Sequence, residues 1–222
     1  MDTDSNSSLS SDEFCWAGGE APDSHGYLAP AVISELKKIA ARYPDRQLKV
    51  LDLGCGNGAF SARMVHEGYE VKACDHSISG VQIAKEQYSQ IEFFQHDIIQ
   101  PLPDQLNGVF DVVVSLEVIE HLFQPRALFD RAREALGEGG CLIVSTPYHG
   151  YLKNIALALF NKFDDHWHPL RDFGHIKFFS RGTLTKCIEE CGFQLRGFHR
   201  VGRIPALAKS MIATADLKHK SL

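Results

Sequence analysis

The chain has 222 residues, 44% of them hydrophobic and 23% charged, the balance of a soluble globular protein. At roughly 100–200 residues per domain this is one elaborated domain, long enough to bury a core without disulfides or a structural metal. A net charge of −5 at pH 7 argues against an extended nucleic-acid surface.

Residues 1–13 are polar and Ser-rich and read as a disordered tail ahead of an N-terminal cap, residues 14–47. Within that cap, "YLAPAVISELKKIAARY" carries Leu28, Val32, Leu36, Ile39 and Ala40 at helical spacing. "LKVLDLGCGNG" is a short apolar strand that ends in glycines, and "AFSARMVHEGY" a helix with Gly68 as its stop. "EVKACD", "SGVQIAKEQY" and "IEFFQHD" follow as strand, helix and strand. "GVFDVVVSLE" is a fourth strand, and its unbroken apolar run predicts burial on both faces, as in a parallel sheet. "PRALFDRAREALGEGG" is a helix with Pro125 near its start and Gly137, Gly139 and Gly140 beyond its end. "CLIVSTP" is a fifth strand, and "SRGTLTKCIEECGF" a helix with Ser180 as cap and Gly192 as stop. "FQLRGFHRVG" and "SMIATADL" close the chain as strands.

This alternation predicts an α/β fold, a mostly parallel sheet with helices on both faces. Ligands in such sheets bind at the carboxyl ends of the strands, so the first glycine turn marks the site. Six cysteines without metal-ligand or CxxC spacing, and no signal peptide, suggest reduced thiols in a cytoplasmic protein. No apolar run reaches the roughly 18–20 residues of a membrane span.

The turn holds Gly54, Gly56 and Gly58, which let the backbone bend sharply and a ligand approach closely. Asp75, about 20 residues on, ends the second strand, where a carboxylate accepts hydrogen bonds from a ribose diol. Asp97 ends the third strand, and Asp52 precedes the turn. The third glycine comes one residue too early for the dinucleotide fingerprint, which disfavours a dehydrogenase.

Taken in order, "VLDLGCGNG", "ACD", "QHD" and "DVVVSLEVIEHL" resemble the class I S-adenosylmethionine-dependent methyltransferases, over about residues 48–147. The resemblance implies a Rossmann-like sheet of seven strands, the last antiparallel. It implies that Asp52 and the loop Gly54, Cys55, Gly56, Asn57 and Gly58 flank the methionine part of the cofactor. Asp75, with His76 beside it, would bind the ribose; Asp97 and Ile98 would adjoin the adenine; Ser115 and Leu116 would lie under the methionine.

Past the fourth strand, Glu117, Glu120 and His121 face the acceptor side. Glu117 and Glu120 converge if the crossing is one helical turn; adjacent Glu120 and His121 converge only on irregular backbone. Two carboxylates and an imidazole form a divalent-metal set; alternatively Glu120 caps a helix and His121 packs or faces solvent. "EVIEHL" resembles both the ubiquinone-biosynthesis O-methyltransferases and the small-RNA 3′-terminal 2′-O-methyltransferases, families that place this pattern on a catalytic metal. The RNA family implies a further histidine, for which His175 is the candidate; His166 and His168 are less well placed. The expected metal set is thus Glu117, Glu120, His121 and His175, with magnesium, manganese or zinc as the ion. The expected catalytic residues are His121, His175 and Glu117, an imidazole serving as base if no metal binds.

Residues 148–179 are long for a connection and read as a substrate lid. In "YLKNIALALFNKF", Leu152, Ile155, Ala156, Leu159, Phe160 and Phe163 form one apolar face, for which packing on the sheet edge and a substrate lid are equally good readings. The ubiquinone family carries a lipid-contacting insertion here, which implies peripheral membrane contact through residues 151–163. Trp16, His25 and Tyr27 are candidate contacts from the cap. The expected activity is methyl transfer to an oxygen of a small-molecule acceptor. RNA 2′-O-methylation and a catalytically idle cofactor-binding regulator are the alternatives.

Overall fold

A computed structural model describes residues 15, 16, 18–167 and 170–218. Seven strands form one sheet in the order β3-β2-β1-β4-β5-β7-β6. They are β1 (Lys49–Leu53), β2 (Glu70–Asp75), β3 (Glu92–Gln95), β4 (Phe110–Leu116), β5 (Leu136–Pro147), β6 (Phe193–Val201) and β7 (Ser210–Leu217). β1 pairs in parallel with both β2 and β4, and β7 lies antiparallel between β5 and β6. The chain leaves β3 at one edge and returns beside β1 as β4, so the strand order reverses between β1 and β4. In open α/β sheets ligands bind outside the carboxyl ends of the strands at such a switch point.

Helices cover both faces. On one face α1 (Asp23–Ala40), α2 (Ala59–His66) and α3 (Ile78–Gln87) sit over Val50, Val71, Ala73, Val112 and Val114. On the other, α4 (Arg126–Ala135) and a helix over Arg181–Glu190 cover Leu51, Leu53, Val113, Leu142 and Val144. Successive residues of β4 point to opposite faces and both faces are covered, so its apolar run is continuous. The Arg181–Glu190 helix starts with the expected Ser180 cap, completed as a capping box by Thr183. Gly68, at φ 96°, ends α2 in the left-handed region that a side chain would resist.

Two expectations change. β5 begins at Leu136, so Gly137, Gly139 and Gly140 belong to its start rather than to a helix stop; the β4–β5 register shifts between Phe110 and Val112 to accommodate them. The apolar stretch after β5 forms α5 (Tyr151–Leu159) and α6 (Phe163–Trp167), which makes the Arg181–Glu190 helix α7. The apolar face of α5 does not pack on the sheet edge. Leu152, Ile155, Leu159 and Phe160 are all exposed, and Lys153 is the helix's one buried residue.

Candidate active site

The β1–α2 turn is built from backbone. Gly54, Gly56 and Gly58 have φ of 88°, 54° and 77°, and the N–H groups of Gly54 and Cys55 both donate to Cys74 O. A side chain at Gly54 would strike Val118, so this turn stays bare where the two strands part. Asp75 braces it: one carboxylate oxygen accepts from Gly56 N at 2.7 Å and the other from Ser77 N at 2.8 Å. Ser115, fully buried, donates to Leu53 O at 2.7 Å and locks the ends of β1 and β4 together. Leu116 ends β4 and exposed His76 follows β2, on either side of β1.

The other expected cofactor residues lie in and around the same strand ends. Asp52 is 2% exposed and accepts from Ser61 Oγ at 2.6 Å, beneath the turn rather than at its surface; burial pushes its carboxyl up to about 7. Cys55 is buried, and Ile98 packs in the core. Asp97 caps its own turn through Ile99 N at 3.0 Å. Asn57 is buried and donates to the carbonyls of Gly18 and Glu20. The bare glycine turn and the Asp75 carboxylate fit a nucleoside-bearing cofactor.

At the end of β4 the backbone departs from a helical turn. Glu117 takes φ 55°, a region most side chains avoid, and a short 3-10 turn follows at Ile119–His121. This irregularity separates the two glutamates. Glu117 turns toward β5 and β7, where its carboxylate accepts from Ser145 Oγ at 2.7 Å and Ser210 Oγ at 2.8 Å, with Tyr27 Oη 3.2 Å from Ser210 Oγ. Burial, opposed by these hydroxyls, pushes the Glu117 carboxyl up to about 7.

Glu120 turns the other way. Its carboxylate is fully buried; Oε2 accepts from Thr146 Oγ1 at 3.0 Å, and Oε1 lacks a hydrogen-bond partner among the described residues. That bare oxygen lies 3.9 Å from His175 Nε2. Glu120, His121 and His175 each bring a ligand atom within 4.8 Å of the others. The segment carrying His175 is fastened here because Ile176 N and Lys177 N both donate to Glu120 O. His121 Nδ1 lies 3.0 Å from Phe173 O and 3.2 Å from Gly174 O. Carbonyls only accept, so Nδ1 carries the proton and Nε2 keeps its lone pair. Burial lowers the His121 pKa, which favours this neutral form.

Of the four expected ligands, Glu120, His121 and His175 come together, while Glu117 is held by serines outside the group. Buried Oε1, the tautomer of His121 and the two-nitrogen, one-oxygen donor set fit a divalent transition ion such as zinc or manganese better than magnesium. His25 stacks edge-on against Phe60 at 5.2 Å, and burial lowers its pKa to about 4, as for a packed core histidine. His166 meets His149 edge-on at 5.5 Å and is not grouped with the three ligands, and His168 lies outside the described residues. Sequence reasoning missed Ser145, Thr146 and Ser210. Ser145 and Thr146 carried a signal, being hydroxyls at the carboxyl end of an otherwise apolar parallel strand.

The seven-stranded sheet, with β7 antiparallel between β5 and β6 and a glycine turn at its switch point, is the arrangement expected of a class I S-adenosylmethionine-dependent methyltransferase. The profile of the family described as "Methyltransferase domain" matches residues 25–196, and the chain belongs to that family. The ubiquinone biosynthesis O-methyltransferase of Cereibacter sphaeroides is 29% identical over 171 residues, 75% of this chain and 68% of that protein. The protein of the same name from Ruegeria sp. is 29% identical over 198 residues, 86% of this chain and 78% of its own length. Magnesium protoporphyrin IX methyltransferase from Synechocystis, solved with bound S-adenosylhomocysteine, superposes with a TM-score of 0.63 at 20% identity, over 85% of this chain and 83% of that one. The structural likeness bears on the fold alone.

Proposed function

We propose that this chain methylates a hydroxyl oxygen of a small acceptor with an apolar portion. The observation that carries the reading is His121, held through Nδ1 by the carbonyls of Phe173 and Gly174, with a ring nitrogen within 4.8 Å of a carboxylate oxygen of buried Glu120. Bound S-adenosylmethionine supplies an electrophilic methyl group. The glycine turn and Asp75 orient the donor, and alignment of the hydroxyl with the methyl is proximity catalysis. His121 Nε2 takes the hydroxyl proton; burial lowers its pKa and favours the neutral form that a base needs.

A second reading is favoured by the unpartnered Glu120 oxygen. Glu120, His121 and His175 would hold a divalent ion, which would lower the hydroxyl pKa and fix the oxygen's position. The relatives named as ubiquinone biosynthesis O-methyltransferases support an oxygen acceptor.

The segment 148–179 covers the acceptor side in this reading. Its helix α5 presents Tyr151, Leu152, Ile155, Leu159 and Phe160 outward, with Lys153 as its buried attachment, 3.5 Å from Lys209 O. We assign that face to a lipid phase or to the acceptor's apolar portion. Among the described residues no helix is long and apolar enough to cross a membrane, so contact would be peripheral. Six free cysteines, five of them buried, fit a reducing cytoplasmic compartment.

The test is release of S-adenosylhomocysteine across phenols, aliphatic alcohols and short RNAs, with and without chelator. Turnover on a hydroxylated apolar acceptor supports the reading; turnover on RNA alone contradicts it. Sensitivity to chelator separates the metal-assisted route from the imidazole route.

A further inference from the structure

The segment ahead of α1 packs against the cofactor turn. Trp16 N donates to Ser79 Oγ at 3.0 Å, which ties the segment to the first turn of α3. The indole fills a notch between two glycines. A methyl group on Gly56 would strike the ring, and one on Gly80 would stand 2.9 Å from Trp16 Cδ1. Further along, Gly19 abuts Gln87 so closely that a side chain there would overlap the amide. Asn57, inside the turn and 0% exposed, donates to Gly18 O at 3.0 Å and to Glu20 O at 2.9 Å, while its Oδ1 accepts from Ala59 N at 3.3 Å.

Asn57 thus spends its side chain on that segment and on α2. A buried amide must find partners; here both donor partners belong to residues 18–20. The turn that these contacts grip is the same one whose glycines hold left-handed φ angles and whose Gly56 N–H is braced by Asp75. A segment that fits only one shape of the turn selects that shape, and any ligand that needs the same shape is coupled to it reciprocally.

We propose that residues 15, 16 and 18–20 form a strap that sets the cofactor turn in its binding shape, with Trp16 and Asn57 as positioning residues, so that strap seating and S-adenosylmethionine binding strengthen each other. The proposal rests on the cofactor reading of the turn. It gives the N-terminal segment a defined part in donor binding, one that reaches the cofactor through the backbone of the turn.

The chain has two tryptophans, so the full-length Trp167→Phe protein leaves Trp16 as sole emitter. S-adenosylhomocysteine is the probe. Its binding is expected to shift Trp16 emission and to slow chymotryptic cleavage after Trp16. Trp16→Ala and Asn57→Ala are each expected to weaken its affinity by about tenfold in calorimetry, the effect of losing one contact of ordinary strength. Trp16→Phe, which keeps an aromatic ring in the notch, should recover most of that loss. Unchanged affinity in both alanine variants overturns the strap while leaving the cofactor reading intact. Faster cleavage on binding, or tighter binding by the variants, also overturns it, since the strap would then block the turn. A parent chain that binds no S-adenosylhomocysteine overturns the cofactor reading and the coupling together.

Discussion

Glu120→Gln separates a metal-ready carboxylate from a merely buried one. Burial holds the Glu120 carboxyl well above the usual carboxylate range, and the nearby Glu117 charge acts in the same direction. In the unfolded chain the group ionises near its ordinary pKa. As pH rises through and beyond that value, the unfolded state loses a proton that the folded state keeps, so stability falls. Glutamine keeps the shape and an acceptor for Thr146 Oγ1, and removes this penalty. Each pH unit over which the folded state keeps this proton and the unfolded state has lost it costs about 1.4 kcal/mol. At about 2–4 °C per kcal/mol for a chain of this size, Glu120→Gln should raise the Tm by roughly 5 °C at pH 8 in chelator. The gain should shrink toward acid pH, where both states are protonated. Added zinc or manganese should stabilise the parent chain and leave the variant unchanged, because a ligand bound only by the folded state raises stability by mass action. Calorimetric melts across pH, with and without metal, read all of this. A variant less stable than the parent in chelator at every pH, with no metal response in either, would refute the reasoning.

Other outcomes follow from single contacts. Asp75→Ala removes the brace on Gly56 and Ser77 and the acceptor for a ribose; S-adenosylhomocysteine affinity should fall at least about tenfold by calorimetry. His121→Ala should abolish turnover with cofactor affinity unchanged, a split visible by combining rate and binding measurements. Replacing Leu159 and Phe160 by serine should lower retention on lipid vesicles while moving the Tm by only about 1–2 °C, since both are exposed. Asp111 is bound by Arg46 through two 2.6 Å contacts which, against the effect of burial, hold its carboxyl below the usual range. Asp111→Asn should therefore cost about 1 kcal/mol at neutral pH, a difference that disappears as acid protonates the parent's carboxylate.

All seven strands and the main helices were legible because the local signals agree. β2 matches "EVKACD" residue for residue, and Ser180, Gly68 and Gly192 fall at helix ends as their chemistry requires. The antiparallel seventh strand came from resemblance, since pattern alone does not give strand direction. α5 shows what periodicity leaves open. Its apolar stripe was evident, but a stripe does not say whether it faces a core or the outside, and here Lys153 is the residue turned in. Glu117 shows another limit. Its left-handed φ sends it to Ser145 and Ser210, and nothing in "SLEVIEHL" marks a non-glycine residue for that conformation. The approach of Glu120 to His175 depends on a segment more than 50 residues downstream being fastened to Glu120 O, a tertiary fact invisible to local pattern. Asn57 was read as a cofactor contact, and its burial against Gly18 and Glu20 again depends on a distant segment.

The most direct measurement is the product of a reaction containing the chain, labelled S-adenosylmethionine and a panel of apolar phenols and alcohols. The label should appear as a methyl ether on an acceptor oxygen, one per S-adenosylhomocysteine released, and should vanish with His121→Ala. Label found only on nitrogen, carbon or RNA, or full ether formation by His121→Ala, would contradict an oxygen-directed site built around Glu120, His121 and His175.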